Sequence, residues 1–260
     1  MSKEFYQKAR KIKRYGWKRS APDFRDFYYA PPHSLAALAP VVDLRPGCPA
    51  IYDQGDLGSC TAQAIGGLGE FLLKKEAKAS FTPSRLFVYY NERVLENSVN
   101  SDAGAEIRDG FKVVSQLGCP NEKLWWYNIA KFRMRPNKAV YADALKHRIV
   151  RYSRVNNADL YAMRSCLASG YPIVGGFTVY SSFESNTVAR TGIVPMPTRN
   201  ESVLGGHAIM VVGYDDTKQM FIVRNSWGKN WGLGGYFMMP YLYLTNVQLS
   251  DDFWTGTFIE

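Results

Sequence analysis

The sequence predicts an α+β protein with two lobes and a cleft between them. Three observations carry this. Apolar residues at helical spacing dominate the first half of the chain. Short β-branched and aromatic runs, broken by Gly, Asp and Pro, dominate the second. The two kinds of segment are separated along the chain rather than alternating. The chain has 260 residues, of which 46% are hydrophobic and 21% charged, so it can bury a large core and is unlike a disordered chain.

Residues 1–40 read as a basic leader, and Pro31, Pro32 and Pro40 favour an extended path at its end. The body is expected over 41–260, helical over roughly 41–150 and β-rich over roughly 151–260. Residues 61–75 suit a helix with Ile65, Leu68 and Leu72 on one face. Residues 83–96, 106–117 and 139–148 read as further helices, with Arg108, Lys112 and Gln116 on the solvated face of the third. Leu160–Ser169 reads as one more helix. The runs Tyr171–Tyr180, Ala208–Tyr214, Gln219–Arg224 and Gly235–Met239 read as strands, and Asp215–Lys218 as the turn of a hairpin.

The net charge is +9, and residues 1–20 carry +7 of it. The basicity therefore belongs to the arm. The plainer reading is a solubilising tail, or one that docks on an acidic patch of its own body. The sharper one is contact with an anionic partner, a nucleic acid or a membrane surface. The first twenty residues lack the apolar core and cleavage site of a secretory signal. No apolar run approaches the roughly 20 residues that span a bilayer. Cys48, Cys60, Cys119 and Cys166 lack metal-type spacing. Together these predict a reducing, intracellular setting, or packaging in a virion, with no metal, no cofactor and no membrane span. A monomer is expected.

Cys60 is the candidate nucleophile. It precedes the helix expected at 61–75, where the helix dipole and free N–H groups stabilise a thiolate. A free cysteine is otherwise often an inert buried residue. Of the three histidines, His33 lies in the leader and His147 is expected on an exposed helix face. His207 opens an apolar strand after Gly205 and Gly206, which permit close approach. Asn225 follows the next strand, and a hairpin brings it near His207, where its amide can fix the imidazole tautomer. Trp227 can shield that bond. Gln54 and the backbone N–H of Cys60 can bind a developing oxyanion. Each residue alone also fits a structural role.

Three blocks settle a resemblance. Gln54-Gly55-x-x-Gly58-Ser59-Cys60, Gly206-His207-Ala208 and Asn225-Ser226-Trp227-Gly228-x-x-Trp231-Gly232-x-x-Gly235-Tyr236 resemble the papain-like cysteine peptidases. The cysteine-to-histidine and cysteine-to-asparagine intervals are 147 and 165, and Gln54 stands six before Cys60. The resemblance implies a papain-like two-lobed fold, a Cys60–His207 ion pair and an acyl-enzyme thioester, with a polypeptide substrate. It also implies substrate contacts at Gly104, Gly206 and Trp227; Gly104 reads equally as a plain turn. Cys48-Pro49-Ala50-Ile51 and Gly205-Gly206-His207-Ala208 are similar to the cathepsin B-like branch. No His-His pair occurs between Cys119 and Lys146, which predicts an endopeptidase. Leu57 and Thr61 replace the cysteine and the aromatic residue of many secreted relatives.

Tyr15-Gly16-Trp17 and the lack of a signal resemble the prokaryotic and viral members. Residues 1–40 then read as a short propeptide that inhibits until cut within 15–40. Alternatively they pack permanently on the body through Tyr15, Trp17, Phe24, Phe27 and Tyr28. Two other functions stay open: acyl transfer or isopeptide cleavage on the same site, and anionic-surface binding through the arm.

Overall fold

The computed structural model describes residues 15–31 and 37–259. His33 and the arm from Lys3 to Arg14 lie outside the described residues. The strands are β1 (Trp17–Lys18), β2 (Val41–Asp43), β3 (Ala105–Glu106), β4 (Ile149–Arg154), β5 (Ile173–Tyr180), β6 (Val203–Asp215), β7 (Met220–Arg224), β8 (Tyr236–Pro240) and β9 (Ser250–Ile259). The helices are α1 (Cys60–Lys75), α2 (Arg85–Leu95), α3 (Ile107–Gln116), α4 (Lys138–Ala144), α5 (Leu160–Ala168), α6 (Asn186–Thr191) and α7 (Tyr241–Thr245).

One antiparallel sheet runs β4-β9-β5-β6-β7-β8, with β2 also paired to β6. Side chains alternate across β6. Ala208, Met210 and Val212 face the core shared with α1, α2 and α3, while Ile209 and Val211 face a second core with Phe177, Phe183, Phe221 and Val223. The helical and β-rich lobes meet along that first face. The α+β expectation is borne out.

Local chemistry explains the elements that place the site. α2 starts at Ser84, whose hydroxyl accepts from the Phe87 N–H. α1 carries Gly66, Gly67 and Gly69, which let Arg85, Arg224 and Pro83 pack close against it. Its last turn closes with Lys78 N–H on the Leu73 carbonyl at 2.9 Å and Ala77 N–H on that of Lys74 at 3.1 Å. This leaves Ala77 left-handed, at φ 53°. Glycine takes that conformation without steric cost. Ala77→Gly is therefore expected to stabilise the fold by about 0.5–1 kcal/mol, read as a higher urea midpoint.

Several expectations are corrected. The helix expected over 139–148 stops at Ala144, and His147 lies beyond it, half-buried with its ring 4.5 Å from Phe81. Arg108 is not on a solvated face. It is 6% exposed and pairs with Asp26 of the leader at 2.7 Å. Phe24, Phe27 and Tyr28 do not pack on the body and stand exposed; the leader is held there by backbone and charge instead. Tyr29 N–H reaches the Arg154 carbonyl at 2.8 Å, and Arg154 N–H reaches that of Phe27 at 2.7 Å. β4 and β9 were not anticipated. Within β9, Asp252 is left-handed at φ 67°, beside an irregular register with β5.

Candidate active site

Cys60 is the first residue of α1 and is fully buried. Its sulfur accepts the backbone N–H of Ala208 at 3.4 Å, a contact across the interface of the two lobes. Burial pushes the thiol up to about 11, against the pull of the N–H groups of Ala208, Gly16 and Thr61. A buried thiol at a helix start is thus poised between two opposed effects, and here burial wins.

His207 lies inside β6 rather than at its start, because the strand begins at Val203. In the hairpin, Met210 stands opposite Arg224, so Asn225, one residue on, comes within diagonal reach of His207. Nε2 of His207 is 2.9 Å from Oδ1 of Asn225. That oxygen also accepts the Ser226 N–H at 2.8 Å. A backbone N–H can only donate, so the amide orientation is fixed and Nε2 must carry the proton. Nδ1 is then the lone-pair nitrogen. Trp227 covers this pair, its ring 5.2 Å from the imidazole, and Phe177 meets the same ring edge-on at 5.8 Å.

Gln54 is buried and doubly held. Its Oε1 accepts from the Ser226 hydroxyl at 2.7 Å, and its Nε2 donates to the Leu57 carbonyl at 3.0 Å. Backbone bonds from Gln54 N–H to Ser226 O and from Gly228 N–H to Tyr52 O stitch the two loops together. Tyr127 donates to the Gln54 carbonyl at 2.8 Å, and its oxygen lies 2.6 Å from Oγ of Ser59. Sequence reading did not assign Ser226 or Tyr127 a part. Ser226 lay inside a block already quoted, whereas Tyr127 sits 73 residues from Gln54 and only folding brings it there.

The leader runs through this cleft. β1 pairs parallel with β3, and the Gly16 carbonyl accepts the Ala105 N–H at 2.7 Å. Tyr15 lies 5.9 Å from the His207 ring and donates to Glu184 at 2.6 Å. The cleft is built for a close-fitting main chain. A β-carbon at Gly104, which has φ 71°, would stand 2.2 Å from the Gly16 oxygen, and one at Gly206 2.6 Å from that of Trp17. Gly104 and Gly206 therefore lie against the leader backbone, and the Trp227 ring lies 6.4 Å from that of Tyr15. Lys18 and Arg19, the described part of the basic arm, pair with Glu96 at 2.8 Å and Asp251 at 3.6 Å. All four cysteines are free thiols. Among the described residues no helix is long and apolar enough to cross a membrane.

Comparison with known proteins agrees with this geometry. Residues 38–251 match the papain family cysteine protease profile. The chain is 45% identical over 210 residues to an uncharacterized peptidase C1-like protein of Acanthamoeba polyphaga mimivirus, spanning 78% of this chain and 68% of that one. It is 28% identical over 260 residues to a cathepsin B-like protein of Giardia intestinalis, spanning 92% and 75%. The crystal structure of xylellain, a cysteine protease from Xylella fastidiosa, superposes with a TM-score of 0.90 at 42% identity over the whole of both chains. A buried thiol at a helix start that accepts the Ala208 N–H, one residue after His207 on β6, agrees with these matches, and the chain belongs to the papain family of cysteine proteases.

Proposed function

We propose that this protein is an endopeptidase in which Cys60, His207 and Asn225 carry the chemistry, Gln54 binds the oxyanion, and the leader holds the enzyme inactive. The observation that supports it best is the bond between Nε2 of His207 and Oδ1 of Asn225 at 2.9 Å, which makes Nδ1 the nitrogen that would take the thiol proton. The Cys60 thiolate then attacks the carbonyl carbon of the substrate. The oxyanion is met by the second N–H of the Gln54 amide and the backbone N–H of Cys60. His207 returns its proton to the leaving amine, and a thioester remains on Cys60. Water, deprotonated by His207, attacks the thioester and releases the acid. Each step moves one proton, always through the same nitrogen.

In the leader-covered form the sulfur accepts the Gly16 N–H. Burial under the leader keeps the thiol protonated at neutral pH. Full-length protein is thus expected to turn over internally quenched peptides slowly under reducing conditions. Limited proteolysis within residues 15–40 is expected to raise turnover, and Cys60→Ala to remove it. Equal turnover before and after the cut would sink the inhibitory reading; turnover retained in Cys60→Ala would sink the nucleophile.

Gln54→Ala separates oxyanion binding from thiol activation. It is expected to lower kcat about 100-fold or more while leaving the alkylation rate of Cys60 within about threefold, because the amide acts on the transition state and not on the thiol. A parallel loss of alkylation would show that Gln54 only props up the loop.

A further inference from the structure

Ser59 stands at the N-cap position of α1, yet its hydroxyl caps no N–H of that helix. A serine there ordinarily does so. Its oxygen instead lies 2.6 Å from Oη of Tyr127 and accepts from Nε2 of Gln63 at 3.2 Å. Oε1 of Gln63 in turn accepts from Nη1 of Arg85 at 3.1 Å. Ser59, Gln63 and Arg85 are all buried. The Arg85 guanidinium is itself fixed. It meets Glu122 through two bonds, Nε to Oε2 at 2.8 Å and Nη2 to Oε1 at 2.5 Å. It also lies against the rings of Tyr52 and Tyr127, 4.3 and 4.7 Å from their centroids.

The two ends of this series set the direction of every bond in it. A guanidinium only donates, so Gln63 turns its amide oxygen to Arg85 and its amide nitrogen to Ser59. A backbone carbonyl only accepts, so the single phenolic proton of Tyr127 goes to the Gln54 carbonyl. Ser59 must then give its own proton to Tyr127. Arg85, Gln63, Ser59 and Tyr127 therefore donate in series to Gln54, and each bond polarises the next. Gln54 and Cys60 carry the two proposed oxyanion donors, and Ser59 is the residue before Cys60. The series thus ties the main chain at Gln54 to that at Ser59.

We infer that Gln63 and Tyr127, anchored by Arg85, are positioning residues that set the separation of the two oxyanion donors. The inference rests on the peptidase reading above and deepens it. Both residues act on the transition state. A donor displaced by a fraction of an ångström still lets substrate bind, but it meets the oxyanion poorly. The signature is a loss of kcat with KM and thiol reactivity kept. Because both residues act through one series, cutting it twice removes little more than cutting it once.

The test uses the full-length chain and three variants: Gln63→Leu, Tyr127→Phe and the two combined. Tyr127→Phe keeps the ring that faces Arg85 and removes only the last donor. Gln63→Leu cuts the series in the middle and leaves the Arg85–Glu122 pair in place. An internally quenched peptide reads kcat and KM, and iodoacetamide reads the reactivity of Cys60. Each single variant is expected to lower kcat about tenfold, with KM and the alkylation rate within about threefold of wild type. The double variant is expected to fall no more than about threefold below the lower single one. Losses that multiply to about 100-fold would overturn the inference and leave the peptidase reading intact. So would an unchanged kcat in either single variant, or an alkylation rate that falls as far as kcat. If Gln63→Leu melts below wild type, Gln63→Glu decides instead. It keeps the length of the side chain, but its carboxylate beside Arg85 only accepts, so Ser59 loses its donor. A fall in kcat of about tenfold is again expected, and wild-type kcat would overturn the inference. A wild-type chain that hydrolyses no peptide, even after a cut within residues 15–40, would overturn the peptidase reading and the inference with it.

Discussion

Cys60→Ala and His207→Ala are each expected to lower kcat/KM for an internally quenched peptide by about 10⁴ or more. The double variant is expected to lose little beyond either single one. The reason is geometric. In the proposed mechanism the thiol cannot attack until its proton has somewhere to go, and the ring proposed to take it is held by a bond to an amide whose own orientation is fixed by Ser226 N–H at 2.8 Å. On that mechanism nucleophile and base act as a unit, so removing one is expected to disable the other. Steady-state kinetics on leader-cleaved wild-type and variant proteins checks this. Losses that simply multiply in the double variant would mean that the two residues act independently, and a different group would then have to be sought as the base.

Gly16→Ala in the full-length chain is expected to raise the alkylation rate of Cys60 and the rate of peptide turnover about 5- to 150-fold. A β-carbon at Gly16 would stand 1.8 Å from the Gly58 carbonyl oxygen, far inside contact distance. Gly58 cannot retreat easily, because its N–H is held by the Asp102 carboxylate at 3.1 Å. Overpacking of this kind costs about 1–3 kcal/mol, and the cheapest relief is for the leader to lift out. The thiol then loses the burial that holds it near 11, so its reactivity at neutral pH rises for a second reason. Leader segments further on should stay docked, because the Asp26 pairs with Arg108 at 2.7 Å and Arg154 at 3.2 Å lie well away from Gly16. An unchanged alkylation rate in Gly16→Ala would show that the leader does not limit access to Cys60.

The parts of this protein legible in its sequence are those written by local chemistry. Apolar residues at helical spacing placed α1, α2, α3 and α5 to within a residue or two, although α1 and α2 are buried on every side over Cys60–Leu73 and Arg85–Arg93. The strands β5, β7 and β8 were legible because β-branched and aromatic runs ended at turn residues. β9 was not, because its strand character comes from pairing with β4 and β5 and overrides the local preference of Asp251, Asp252 and Gly256. Arg108 was misplaced because its partner, Asp26, is 82 residues away and no periodicity encodes that pairing.

The candidate site divides along the same line. The residue types Gln54, Cys60, His207 and Asn225, their order and their spacing are matters of sequence, since a thiol, a base, an orienting amide and an oxyanion donor can each be named from a motif. Which face of His207 carries the lone pair, which loops hold Gln54, what fills the cleft and which way the Ser59 hydroxyl points are decided only by the tertiary structure. Each depends on groups far apart in the chain, such as Gln54 and Ser226, 172 residues apart, whose meeting is the outcome of packing two lobes together.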